Sequence, residues 1–352
     1  MPGRDYKFLS RFVHKVALQY AAVAEMSFDV ENALTRKEQD LPGNHIFISG
    51  LARSGTTILL KYLYETGAFK ALTYSDMPFV LMPNTWKKIS YRSASPPSHE
   101  RAHNDGIMIG PDSPEAFEEV FWRVFCGKNY IRDDRLMVHK VDADLSKKFK
   151  NYIGNVLGPG VQEDKRRYLS KNNNNILRID YLQKTFPEAR IIVPFRDPLQ
   201  QSISLLNQHL RFSDIHKTDR FSLNYMNWLG HFEFGLNQKP FFLGDEETLE
   251  TMQYYPKTEL NFWLLSWKNY YGYLSRNISN NTILFNYEKF CADPEASLVA
   301  LFSKIDIMNP VFELKPFKPV IKSAAGFDQD ILEECRLIYQ TLERKADQPF
   351  GI

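Results

Sequence analysis

The chain alternates short apolar runs of strand character with longer segments of helical period. His45 to Ser49 is a compact apolar run, and Thr56 to Thr66 carries a helical pattern that Gly67 stops. Ala71 to Tyr74 reads as a second short strand. Arg167 to Ser170 leads into a helical segment over Ile176 to Phe186, and Arg190 to Phe195 leads into one from Pro198 to about Leu210. Thr282 to Phe285 is the last run of strand character, and helical patterns near Pro294 to Ile305 and Ile331 to Lys345 follow it. Strands that alternate with helices argue for a parallel sheet covered on both faces.

Two stretches break the alternation. Residues 76–165 hold a Ser-Pro-Pro turn, the polar run SHERAHNDGI and a helix expected over Pro114 to Phe125, and residues 211–262 are rich in aromatic side chains, as in NYMNWLGHFEFG. Loops this long inside a compact domain carry function or form lids. Residues 1–43 read as a helical extension, because Phe8, Phe12, Val16, Tyr20 and Val23 recur at helical spacing. The basic residues before Val16 resemble the start of a signal peptide, but Gln19 and Glu25 interrupt the apolar stretch that follows. No stretch is long enough to span a bilayer. The expectation is one domain over 1–352 with two long insertions, in a cytoplasmic protein.

Composition narrows the chemistry only a little. The 352 residues are 43% hydrophobic and 24% charged, as in an ordinary globular core, and 44 Lys and Arg against 42 Asp and Glu leave a formal charge of +2. Nothing at that scale favours nucleic acid or an anionic membrane, so a basic site has to be local. Cys126, Cys291 and Cys335 lie far apart without C-x-x-C spacing, which argues against a disulfide framework or a zinc site. His99 and His103 have the H-x-x-x-H spacing but no third ligand beside them, so no metal is expected.

The local chemistry begins at GLARSGTT, residues 50–57. Gly50 and Gly55 keep the glycine spacing of a phosphate-cradling loop between a strand and a helix, so the N–H groups of Ser54, Gly55, Thr56 and Thr57 can point at an anion with the helix dipole behind them. A nucleotide triphosphatase has lysine where this chain has Thr56, and the loop's only cation is Arg53. The second element is IIVPFRDPLQQSIS, in which Arg196 ends a strand, Asp197 caps a helix that Pro198 opens, and Ser204 lies further along that helix.

The two elements together resemble the sulfotransferases that use 3′-phosphoadenosine 5′-phosphosulfate (PAPS). YLSKNNNNILRIDYLQKTFPEARIIVPFRDP and FNYEKFCADPEASLVALF are similar to segments of tyrosylprotein sulfotransferases and their bacterial relatives. The resemblance implies a P-loop nucleotide-kinase-like α/β fold, a parallel sheet flanked by helices with long helical and loop insertions. It places the 5′-phosphosulfate on Arg53 to Thr57, the 3′-phosphate on Arg196 and Ser204, and Lys171 near the transferred group. For the base that takes the acceptor's proton, the candidates are Asp76, after the second strand, and His103 in the polar run. The acceptor is expected to be a hydroxyl of a carbohydrate or small molecule ahead of a peptide tyrosine. A P-loop kinase or triphosphatase with an atypical loop, and an inactive nucleotide-binding relative, are the competing readings.

Overall fold

The computed structural model describes residues 8–35, 41, 43–90, 99–100, 108–159, 165–308, 310, 312–314 and 323–348. Its centre is a five-stranded sheet of β1 (Ile46–Ile48), β2 (Phe69–Lys70), β3 (Arg167–Lys171), β4 (Arg190–Phe195) and β5 (Thr282–Asn286). All pairings are parallel, in the order β2-β3-β1-β4-β5. Ile46 stands beside Leu169 on one side and Arg190 on the other. A parallel sheet has to be covered on both faces, which explains why its strands are apolar runs without polar alternation.

Alternate residues of β1 serve the two faces. Ile46 and Ile48 pack with Leu59, Leu60 and Leu63 of α3 (Thr56–Glu65). Phe47 meets Phe149, Tyr168 and Phe186 at ring-centroid distances of 6.4, 5.9 and 5.8 Å. On that second face lie α5 (Glu119–Tyr130) and α6 (Ala143–Leu157), and the long α8 (Pro198–Thr218) packs against α9 (Leu260–Arg276). The carboxyl ends of β1, β3, β4 and β5 open onto one edge, where open α/β sheets bind ligands.

After residue 43, the elements depart from the sequence expectations in four places. The second strand is Phe69–Lys70, not Ala71 to Tyr74: Thr73 instead bridges antiparallel to Pro114, and Tyr74–Asp76 is a 3₁₀ turn. The helix expected from Pro114 starts at Glu119, because Ser113 and Glu115 are spent on backbone bonds to Tyr74 and Leu72. The helix expected from Ile176 is a 3₁₀ segment, Asn173–Arg178, followed by α7 (Ile179–Thr185), since Asn172 caps the tight turn by accepting from the N–H of Asn174. The helix after Pro198 continues beyond Leu210 to Thr218.

The amino-terminal helix is broken at Tyr20 into α1 (Phe8–Gln19) and α2 (Ala21–Leu34), and the buried stripe is not the aromatic one. Ala17, Leu18, Ala24 and Phe28 are buried, whereas Phe12 is 54% and Tyr20 51% exposed. The side chain that fixes the orientation is Glu31, fully buried. Its carboxylate accepts from the N–H groups of Asn84 and Thr85 at 2.8 and 3.1 Å, capping α4 (Pro83–Ser90). Among the described residues, no helix is long and apolar enough to cross a membrane.

Candidate active site

The loop after β1 is held in a shape that ordinary residues resist. Arg53 and Gly55 have φ of 70° and 95°, both left-handed. A Cβ at Gly55 would lie 2.9 Å from Cδ2 of Tyr287, so glycine is required there by contact as well as by angle. Ser54 Oγ donates to Leu51 O at 2.8 Å, and Gln201 Nε2 donates to Leu51 O and Ala52 O at 3.2 and 3.0 Å. These bonds occupy the loop's carbonyls from behind. α3 begins at Thr56 and Thr57 directly behind this loop, so its N-terminus faces the same side as Arg53.

β4 delivers Arg196 to the same place. Asp197 accepts from Gln200 N–H at 2.8 Å and Pro198 opens α8, as the sequence reading expects. Arg53 Nε donates to Ser204 Oγ at 3.1 Å, and Arg196 Nη1 donates to Arg53 O at 3.5 Å, so the two sequence elements meet in space. The Arg196 guanidinium lies 4.6 Å over the ring of Tyr287, and its buried Nε has no hydrogen-bond partner. Glu288 accepts from Asp197 N–H at 3.0 Å and from Tyr339 Oη at 2.9 Å; burial raises its carboxyl pKa in spite of those bonds. Trp267 Nε1 donates to Arg196 O at 3.1 Å and to Gln201 Oε1 at 3.0 Å, which makes this aromatic residue a brace within the core.

Lys171 ends β3 beside Ile48, the last residue before the loop's approach. Its Nζ lies 3.8 Å from Oε1 of Glu115, and Oε2 of Glu115 accepts from Tyr74 Oη at 2.9 Å. Both charged side chains are about one-tenth exposed, at 10% and 11%. Sequence reasoning missed Glu115; the acid-rich PEAFEE ahead of an apolar run was its only signal. Asp76 is brought to the same neighbourhood, but its carboxylate, 1% exposed, accepts from Thr73 N–H at 2.7 Å and Thr73 Oγ1 at 3.1 Å and pairs with Lys87 at 3.1 Å. His103 lies outside the described residues, as do Arg101 and Asp105.

Behind Lys171 runs a buried polar network that the sequence also concealed. Asn172 Nδ2 donates to Glu118 and Glu119 at 3.0 and 2.8 Å, and Arg178 pairs with Glu119 at 2.8 Å while lying 4.5 Å over Trp122. Burial would push the Glu119 carboxyl up, but the charge and hydrogen bonds of Arg178 outweigh it and hold the pKa below the ordinary value. Arg178 is correspondingly raised, with Glu119 outweighing its own desolvation. Asn173 and Asn174 continue outward, donating to Glu233 Oε1 at 3.0 Å and to Gly230 O at 3.1 Å. The asparagine run thus ties the carboxyl edge of the sheet to the 211–262 insertion.

A family model described as "Sulfotransferase family" matches residues 45–309, which includes the loop, Lys171, Arg196 and the Tyr287–Glu288 pair. The chain belongs to the sulfotransferase family. It is an enzyme of sulfuryl transfer with PAPS as donor, and the kinase reading of its loop is set aside. Comparison with curated proteins finds no match. Among solved structures, this sulfotransferase is similar to sulfotransferase STF9 from Mycobacterium avium, at 15% identity and TM-score 0.47 over 98% of this chain and 79% of that one. It is similar to sulfotransferase STF1 from Mycobacterium tuberculosis H37Rv at 13% identity and TM-score 0.45 over 97% and 87%. A sulfotransferase from Alicyclobacillus acidocaldarius follows at 14% identity and TM-score 0.39 over 87% and 96%.

Proposed function

We propose that this sulfotransferase holds the 5′-phosphosulfate of PAPS on the loop Arg53 to Thr57 and the 3′-phosphate on Arg196 and Ser204, and transfers the sulfuryl group to a hydroxyl of a carbohydrate or small molecule. The observation that carries the reading is the meeting of Arg53, Arg196 and Ser204 above the N-terminus of α3. The buried, unpartnered Nε of Arg196 and the tight approach of Gly55 to Tyr287 fit an anionic, flat-sided nucleotide. When bound, PAPS supplies the sulfuryl group and a phosphate leaving group; the chain's part is to orient it and to neutralise charge.

In this reading Arg53 and Lys171 stabilise the charge that develops around the transferred group, an electrostatic contribution that grows where water is excluded. The acceptor's proton needs a base within reach. Glu115 supports that role best, because it is partly exposed and stands beside Lys171, whereas the Asp76 carboxylate is enclosed by Thr73 and Lys87. Asp76 and His103 are the alternatives. Residues 76–165 and 211–262, the latter bearing Trp228, Phe232 and Phe234, would form the acceptor side of a single domain. Those three aromatic residues are buried, as are Trp263 and Trp267.

The test is nucleotide protection against thermal unfolding. 3′-Phosphoadenosine 5′-phosphate should raise the midpoint well above AMP at equal concentration, and Arg196→Ala should abolish most of the difference. Equal protection by the two nucleotides in the wild-type protein would reject the assignment of the 3′-phosphate.

A further inference from the structure

A small cavity of about 30 Å³ lies between the phosphosulfate loop and the 211–262 insertion. Leu51 and Ala52 of the loop close one side, and Asn174, a short way beyond Lys171, closes another, so the cavity adjoins both elements proposed to handle the sulfuryl group. At roughly 10–15 Å³ for each water it has room for about two.

Its polar lining consists of three amides, Asn174, Gln238 and Asn269, together with Glu233, Lys239 and Ser266. Asn174, Gln238 and Asn269 are 3%, 7% and 5% exposed, and the side-chain oxygen of each is buried without a hydrogen-bond partner. The orientation of two of these amides is fixed by their other ends. Asn174 Nδ2 donates to Gly230 O at 3.1 Å and Asn269 Nδ2 donates to Phe241 O at 2.7 Å; a carbonyl can only accept, so each amide commits its nitrogen to that bond and its oxygen is the unpaired acceptor. Buried acceptors left unpaired are costly and are met by a donor from water or ligand. The remaining lining includes the rings of Phe232 and Trp263. Three unpaired acceptor oxygens, with the side chains of Glu233, Lys239 and Ser266 and two apolar rings on the same lining, suit a molecule that has several hydroxyls, each able to donate and accept, at its edge and a carbon face, which is the chemistry of a sugar.

We infer that this cavity is the inner end of the acceptor site and receives one or two hydroxyls of a carbohydrate, displacing the waters that would otherwise occupy it. The inference rests on the proposed PAPS-dependent reaction and names its acceptor class. A simple phenol brings a single hydroxyl, which the transfer itself consumes, and so offers these oxygens no donor of its own.

The experiment uses the full chain, radiolabelled PAPS and a panel of p-nitrophenyl hexosides beside p-nitrophenol and a tyrosine peptide. Sulfation of a hexoside in preference to the phenol and the peptide is expected. Gln238→Met, nearly equal in volume, should raise KM for that hexoside roughly tenfold, as for loss of one hydrogen bond, with kcat within about threefold. Gln238→Glu keeps an acceptor oxygen and should restore most of the affinity. Protection by 3′-phosphoadenosine 5′-phosphate, retained in both variants, shows that the fold and the donor site are intact. If the wild-type protein is protected by that nucleotide but sulfates the phenol or the peptide and no hexoside, or sulfates none of the panel, the carbohydrate subsite is wrong while the donor site stands. An unchanged hexoside KM in Gln238→Met reduces the cavity to a hydration site and overturns the inference. Absence of nucleotide protection in the wild type overturns the donor assignment, and this inference with it.

Discussion

Two carboxylates that share one stretch of antiparallel pairing face different surroundings, and substitution separates their roles. Glu115 Oε1 stands 3.8 Å from Lys171 and accepts from Ala116 N–H at 2.8 Å in a partly exposed position, while Asp76 caps its own 3₁₀ turn from a buried position. Glu115→Gln keeps the size and the bond from Tyr74 but removes the basic oxygen, so turnover should fall by roughly the 10²–10⁴-fold that a general base contributes, with nucleotide protection unchanged. Asp76→Asn should instead lower the unfolding midpoint, since it weakens the bonds that the buried carboxylate accepts from Thr73 and its pairing with the exposed Lys87, and leave turnover of the folded enzyme near wild type. An inactive but stable Asp76→Asn protein beside an active Glu115→Gln protein would return the role to Asp76. At this scale the sequence revealed what is local. Arg53, Gly55, Arg196 and Ser204 lie in short motifs whose spacing carries their meaning, whereas Glu115 acquires its position only when Thr73 bridges to Pro114.

Between elements, the buried pair of Arg178 and Glu119 fastens the segment after β3 to α5, and through Asn172 it braces the backbone next to Lys171. Arg178→Met removes one partner and strands a carboxylate that is 2% exposed, which should cost roughly 3–5 kcal/mol of stability. Adding Glu119→Gln to that variant should recover much of the loss, because the uncompensated charge is the larger part of the penalty. Denaturant midpoints of the two variants measure it, and equal midpoints would show that the charge is not what matters. The strands β1, β3, β4 and β5 were legible because buried parallel strands are unbroken apolar runs bounded by turn residues. What stayed hidden was where extended chain pairs outside the main sheet: Ala71 to Tyr74 has strand character but bonds to 113–115, and that contact also delays the start of α5 to Glu119. The apolar stripe of α1 and α2 was misread for a related reason, since a break at Tyr20 shifts the helical phase and leaves Phe12 and Tyr20 outside the packed face.

Over the whole molecule, burial keeps several histidines neutral. His45, enclosed by Phe47, Tyr168 and Phe186, is lowered to about 4 by desolvation and then by the charge of Arg167, and His139 and His209 are lowered to about 4, chiefly by burial. In the unfolded chain the same rings titrate near 6.5, so between about 6.5 and 4 the unfolded state binds protons that the folded state refuses. Their contribution is complete above about pH 6.5 and is lost as the pH falls toward 4, at up to roughly 1.4 kcal/mol per pH unit for each histidine. Urea midpoints should therefore decline from pH 7.5 to pH 5, and a flat profile would contradict the burial of these rings. The strand order bears on how the chain comes to be folded at all. β1 lies between β3 and β4, whose residues emerge from the ribosome about 120 to 150 positions later, and at roughly 5–20 residues per second that interval is about 6 to 30 seconds. Throughout that time the phosphate loop exists as sequence without shape, and Ile46, Phe47 and Ile48 are nascent, sticky segments that a chaperone or an early helix must shelter until their neighbours are synthesised.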